Sequence, residues 1–112
     1  VRHTDDRELL EKAAKAAGID GKQDHYGVWI KGSYDAGGTV WNPLTDDGDA
    51  LRLAVKCKLT TCTDGEATVS SHEAYRGSQG VFITQRVSEC KDKYAATRRA
   101  IVKAAAAIGE GM

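Results

Sequence analysis

The stretch from Trp41 to Leu59 (WNPLTDDGDALRLAVKCKL) limits the folding choices of this chain more than any other. Pro43 keeps Asn42 out of helical dihedrals and itself suits a turn or the first turn of a helix, so the helix proper has to begin later. Asp46 is the expected N-cap, with Asp49 three residues on, and the aspartates at 46, 47 and 49 oppose the positive end of a helix dipole. Beyond them Leu51, Val55 and Leu59 recur at four-residue spacing, widened by Ala54, while Arg52 and Lys56 are expected to face water. A helix with such a face needs a second layer to cover it, and the other elements are read as folding back onto this one.

Asp5 to Gly18 reads as a first helix. Asp5 and Glu8 have capping-box spacing, Leu9, Leu10, Ala13, Ala14 and Ala17 recur at helical spacing, and Gly18 supplies the residue that ends it. Its Ala-rich stripe permits close packing, expected against a sheet. Ile19 to Asp24 are mostly turn formers, and His25 to Lys31 suits a strand. Gly32 to Thr39 serves as a hairpin tip or loop, and a short strand over Thr39 to Trp41 is left open. After a turn at Asp64-Gly65, Glu66 to His72 and Val81 to Val87 should pair as an antiparallel hairpin joined through Gly77 to Gly80. The last helix starts near Asp92 and runs to Ile108, with Tyr94, Thr97, Ile101, Ala105 and Ile108 on one face and Gly109 ending it. The expected fold is a single α+β domain over residues 1–112. It is α-β-α sandwich-like, with a small, mainly antiparallel sheet and about three helices in the order α-β-α-β-β-α.

Charge and hydropathy narrow the function classes. Sixteen basic and sixteen acidic side chains cancel, so no overall positive field draws in nucleic acid. The longest apolar run, Ala100 to Ile108, is interrupted by Lys103 and falls short of the roughly 20 residues a bilayer crossing requires. The opening residues carry no signal-peptide pattern, and the three cysteines, Cys57, Cys62 and Cys90, are odd in number. The expectation is a cytoplasmic protein with reduced thiols and no membrane partner.

Two stretches carry a likeness to a known family. One is Trp41-Asn42-Pro43-Leu44 with the Asp46 to Val55 segment; the other is the closing Ala96 to Ala106, in which Arg98 and Arg99 precede an Ala-rich run. Together they resemble the phage ABA sandwich domain family, small proteins of tailed phages and prophages. A lesser likeness to NinX-type phage proteins lies around the WNP-then-helix pattern. The resemblance implies a helix-sheet-helix sandwich in a phage setting, in the cytoplasm of the host cell, and brings no chemistry with it. Gly32 to Thr39 and Thr60 to Gln79 lie outside the likeness, so no site is carried over to them.

The residue constellations point away from catalysis. Cys57, Cys62, His72 and Cys90 have a zinc-like composition but not the paired spacing of a structural zinc site, and Asp46 to Asp49 lacks the alternation and final glutamate of a calcium loop. Cys57 is expected as a small, half-buried side chain. Gly77 to Gly80 has the bare GxxG pattern of a KH loop but is flanked by strands, and no phosphate-cradling motif is present. Ser71 and His72, adjacent on a strand, point to opposite faces. Arg98 and Arg99 suit a carboxylate or phosphate, or else form a solvated face or an ion pair with the Asp46 to Asp49 cap. Trp41 is either a core anchor or a stacking platform.

The expected function is that of a non-enzymatic accessory protein binding a host protein or a small ligand, with homo-oligomerisation left open. Trp41, Asn42, Arg98 and Arg99 are the candidate ligand-binding residues, and no metal or cofactor is expected. The alternative is a nucleic-acid or nucleotide binder through Arg86, Arg98 and Arg99. A second alternative is a small enzyme using His72 with Glu73 or Glu89.

Overall fold

Alanine-rich sequence near both ends of the chain makes helices whose backbones can approach closely, and the rest of the fold is arranged around that approach. The structure, a computed structural model, describes residues 6–19, 21–23, 29–31, 39–71 and 82–110. The elements are α1 (Asp6–Ala17), β1 (Gly21–Gln23), β2 (Trp29–Lys31), β3 (Thr39–Val40), α2 (Asp47–Lys56), β4 (Leu59–Cys62), β5 (Ala67–Ser71), β6 (Phe82–Gln85), a 3₁₀ turn (Val87–Glu89) and α3 (Lys93–Glu110). The α+β class expected from sequence is the one observed. The strands form two three-stranded antiparallel sheets, in the orders β1-β2-β3 and β4-β5-β6.

In α1, Leu9, Leu10, Ala13, Ala14 and Ala17 are all buried, as their spacing requires. The helix closes with two hydrogen bonds, Ile19 N to the Ala14 carbonyl and Gly18 N to the Lys15 carbonyl. This is the Schellman arrangement, and Gly18 at φ 70° supplies the left-handed residue it needs. Asp5, the expected cap, lies outside the described residues, as do His25 and most of the loop from Gly32 to Thr39.

The partner of α1 is α3 rather than a sheet. Asp6 meets Arg99, and Lys12 meets Glu8 at 3.1 Å and Glu110 at 3.5 Å, so the two helices run in the same direction. At this crossing Gly109 continues α3 instead of ending it. A Cβ built there would run into the Lys12 carbonyl, so only glycine allows this approach. Its C-terminal half is buried almost all round, through Ile101, Val102, Ala104, Ala105, Ala106 and Ile108, so the single face expected from sequence understates its role. Tyr94, assigned to that face, is instead exposed.

On another side α3 meets the second sheet. Ala67 and Gln85, paired in register across β5 and β6, are both buried. Leu59 and Ile83 pack against the same core, while Thr60, Cys62 and Thr84 on the opposite face are exposed. The alternation follows the period-2 rule except at Thr61, on the inner face of the outer strand β4, which is exposed beside α2 and α3.

Several local expectations change. β1 occupies Gly21 to Gln23, where turn formers were read, because pairing with Trp29 to Lys31 outweighs weak strand propensity. β4 begins at Leu59 because α2 stops at Lys56. Lys58 then takes a left-handed conformation, φ 57°, without the glycine that usually announces such an end. Leu51 and Val55 are not core: the buried stripe of α2 is Ala50, Leu53 and Ala54, continued by Cys57 just past the helix end. That set has the i, i+3, i+4, i+7 spacing of a helix face, a better match than repeats of four alone. Cys57 is fully buried rather than half-buried, and desolvation pushes its thiol pKa up, only partly opposed by Lys56.

Gly109→Ala should lower stability by about 1–3 kcal/mol in chemical denaturation, since forced separation at the crossing outweighs the gain of roughly 1 kcal/mol in helix propensity. An unchanged or raised midpoint would show that the crossing relaxes freely. Native-state thiol labelling should modify exposed Cys62 quickly and Cys57 only through unfolding. Because burial raises the Cys57 pKa, the stability of its protonated form is kept below the ordinary thiol pKa and lost as pH rises through the folded value. Denaturation midpoints of wild type and Cys57→Ala should therefore converge as pH rises.

Candidate functional site

Two recesses flank the N-terminal half of α3, and the turn between Trp41 and Asp47 touches both. That turn is built from its own polar groups. The Asn42 side-chain oxygen accepts from Leu44 N at 3.0 Å, and its carbonyl accepts from Thr45 N and Asp46 N. Asp46 caps α2 by accepting from Asp49 N at 2.8 Å, as its position predicts. Asp49 reaches past the cap residue, accepting from Asn42 N at 3.0 Å and from Arg52 at 2.8 Å. Pro43 is buried beneath them.

Arg98 ties this turn to α3. Its Nε donates to the Leu44 carbonyl at 2.8 Å and its Nη1 donates to Asp47 Oδ1 at 2.6 Å. The guanidinium is mostly covered while Asp47 is largely exposed, so the bond to the Leu44 carbonyl carries more weight than the ion pair.

On one side of this tie lies an apolar trough of about 340 Å³ between α2, β4 and the start of α3. Leu51, Val55, Leu59, Tyr94 and Ile101 line it, with Arg98 and Asp47 at one edge. Leu51 is 65% exposed, Val55 70% and Tyr94 72%. β4 is the outer strand of its sheet among the described residues.

On the other side lies a polar cleft of about 700 Å³, bounded by the start of α1, the end of β6, the 3₁₀ turn and α3. Its wall on α3 is Ala95, Arg99 and Lys103, one helical turn apart. Arg99 pairs with Asp6 at 3.1 Å, and Lys103 donates to Gln85 Oε1. Gln85, only 2% exposed, donates in turn to Glu89 Oε1 at 3.1 Å.

The four residues expected to share a site are therefore divided. Trp41 is 3% exposed and belongs to the core. Asn42 shapes the turn, Arg98 holds it and borders the apolar trough, and Arg99 lines the polar cleft. Arg86 is exposed at the edge of the 3₁₀ turn. His72 and Glu73 lie outside the described residues, while Glu89 accepts from Gln85. Among the described residues no group of three or more His, Cys, Asp or Glu could hold a metal ion. None of their helices is long and apolar enough to cross a membrane.

The recess residues that sequence reasoning missed had weak but readable signals. Once Ala50, Leu53, Ala54 and Cys57 account for the inner stripe, Leu51 and Val55 are left over as a second one. Lys103, the charge inside the Ala-rich run, falls four residues after Arg99 and so on the same side of the helix. In comparisons with known proteins, no family model matches the sequence, and no curated protein or solved structure matches it significantly.

Arg98→Ala should cost about 1–2 kcal/mol in chemical denaturation, most of it from the Leu44 carbonyl left without its donor. Asp47→Asn should cost under about 0.5 kcal/mol, as exposed ion pairs do. Equal losses in the two variants would assign the weight to the ion pair instead.

Proposed function

We propose that this chain is a non-enzymatic accessory protein that binds a protein partner through the trough between α2, β4 and α3. The supporting observation is the convergence there of Leu51, Val55 and Tyr94, three of the four large exposed hydrophobic side chains among the described residues. Single exposed apolar residues are ordinary on protein surfaces, whereas a contiguous apolar recess with a polar edge is the usual form of a binding surface. Leu51 and Val55 make no contribution to the core that would account for them, since the inner stripe of α2 is complete without them.

The partner side this trough suits is a small apolar cluster, such as one face of an amphipathic helix, with polar groups opposite Asp47 and Arg98. The likeness to small tailed-phage proteins supports a phage or prophage setting, in which the partner is a host protein and the location is the host cytoplasm.

The test compares wild type with Leu51→Asp/Val55→Asp as immobilised baits in host lysate, read by quantitative mass spectrometry. The exposed double variant should unfold within about 0.5 kcal/mol of wild type, unlike Leu53→Ala, which should lose about 2–5 kcal/mol. Capture of a specific partner should fall at least about tenfold in the double variant. Equal capture by both baits, or no specific capture by wild type, would reject the reading.

A further inference from the structure

We propose that the polar cleft beside α3 binds a small anion carrying a carboxylate or phosphate group, held by Arg99 and Lys103 with Lys91 at its rim. This does not rest on the trough. The cleft volume, about 700 Å³, is in the range of small-molecule sites. Its lining brings together three cations, Lys91, Arg99 and Lys103, and two carboxylates, Asp6 and Glu89.

Glu89 accepts from the Gln85 amide, and Asp6 pairs with Arg99 through an exposed bridge that an incoming anion competes with. Lys103 is different. Among the described residues no carboxylate pairs with it, and its hydrogen-bond partner is the neutral Gln85 oxygen. An ammonium has three donors, so two remain for a ligand, and the half-buried position makes a charged acceptor more favourable than it would be in water. Gln85 acts as a positioning residue. Buried on β6 and anchored through Glu89, it holds the Lys103 ammonium at the cleft wall.

Arg99, one turn away, commits one nitrogen to Asp6 and keeps further N–H groups of its fork. Ala95, one turn earlier again, leaves the space above Arg99 open, and Leu44 adds an apolar wall. The combination fits an anionic head on a short carbon skeleton.

The experiment is an amide-resolved NMR titration of the full chain, at constant ionic strength set with chloride. Inorganic phosphate, acetate and succinate are titrated separately, so that the strongest binder identifies the head group. Saturable shifts should map to residues 82–91 and 95–103, reaching half-saturation below about 10 mM for at least one anion. Arg99→Gln/Lys103→Gln should weaken binding at least about tenfold, since two charge-assisted hydrogen bonds are removed. Lys91→Ala at the exposed rim should weaken it about two- to threefold. Leu51→Asp/Val55→Asp should bind with wild-type affinity, which separates failure here from failure of the trough.

Shifts that do not saturate by about 50 mM, or that map away from the cleft, would overturn the assignment. So would unchanged affinity in the double cleft variant. If that variant does not fold, the wild-type shift map and Lys91→Ala decide: a map centred elsewhere, or no weakening, overturns the site.

Discussion

The close parallel crossing of α1 and α3 sets the geometry of everything else in the molecule. It is closest where Gly109 meets the backbone of Lys12 and Ala16, between two helices whose buried residues are largely alanine: Ala13, Ala14 and Ala17 on one, Ala104, Ala105 and Ala106 on the other. Each buried methyl or methylene contributes only about 0.8 kcal/mol, so such a contact is stabilised by the number and closeness of its atoms rather than by a few large anchors. Close packing of this kind has little tolerance, because added volume must move a backbone rather than rotate a side chain. The second sheet and α2 then pack against other sides of the same helix. Arg99 and Lys103 on one side, and Tyr94 and Arg98 on another, are therefore fixed in direction by a crossing that none of them makes.

Where the sequence was legible, a single local rule decided the outcome. The Asp46 cap, the Gly18 stop and the antiparallel pairing of β5 with β6 each follow from residue type and spacing within a few positions. Where it was not, two local rules competed or a distant partner chose between them. Gly109 is a reasonable helix terminator by local chemistry, yet it meets the Lys12 backbone, and nothing within several residues of it announces that neighbour. Lys58 ends a helix in a conformation usually left to glycine, so the start of β4 carried no signal of its own. The candidate site shows the same division. The sequence marks Arg98 and Arg99 as a pair, but which carbonyl or carboxylate each meets is settled by residues about fifty and ninety positions away.

α2 shows why a helical pattern can be read correctly and still be placed on the wrong side. Ala50, Leu53, Ala54 and Cys57 form one stripe, Leu51 and Val55 another, and at about 100° per residue the two occupy different sectors of the helix. Larger side chains normally win the core, because they remove more apolar area from water. Here alanine and cysteine flank Leu53 inward, since α2 must come close to α3, and the bulkier Leu51 and Val55 are displaced outward. The same demand for close approach that organises the core leaves apolar area uncovered at its edge.

Arg98 and Arg99 divide the consequences between them. Adjacent residues on a helix point about 100° apart, and here the two guanidinium groups are held on different partners, Arg98 on the Leu44 carbonyl and Asp47, Arg99 on Asp6. Arg98 is spent on the turn, because the Leu44 carbonyl would otherwise be partly buried without a donor, and a hydrogen bond to a charged donor is worth more there than in water. Arg99 meets an exposed carboxylate, a pairing that contributes little to stability and gives way to a stronger acceptor at little cost. The turn from Trp41 to Asp47 thus ends its role as structure at Arg98, holding α2 on α3 and keeping the apolar trough apart from the charged cleft. A shared site at Trp41, Asn42, Arg98 and Arg99 would have required the core tryptophan to be exposed and the capping turn to open. Two separate recesses require neither.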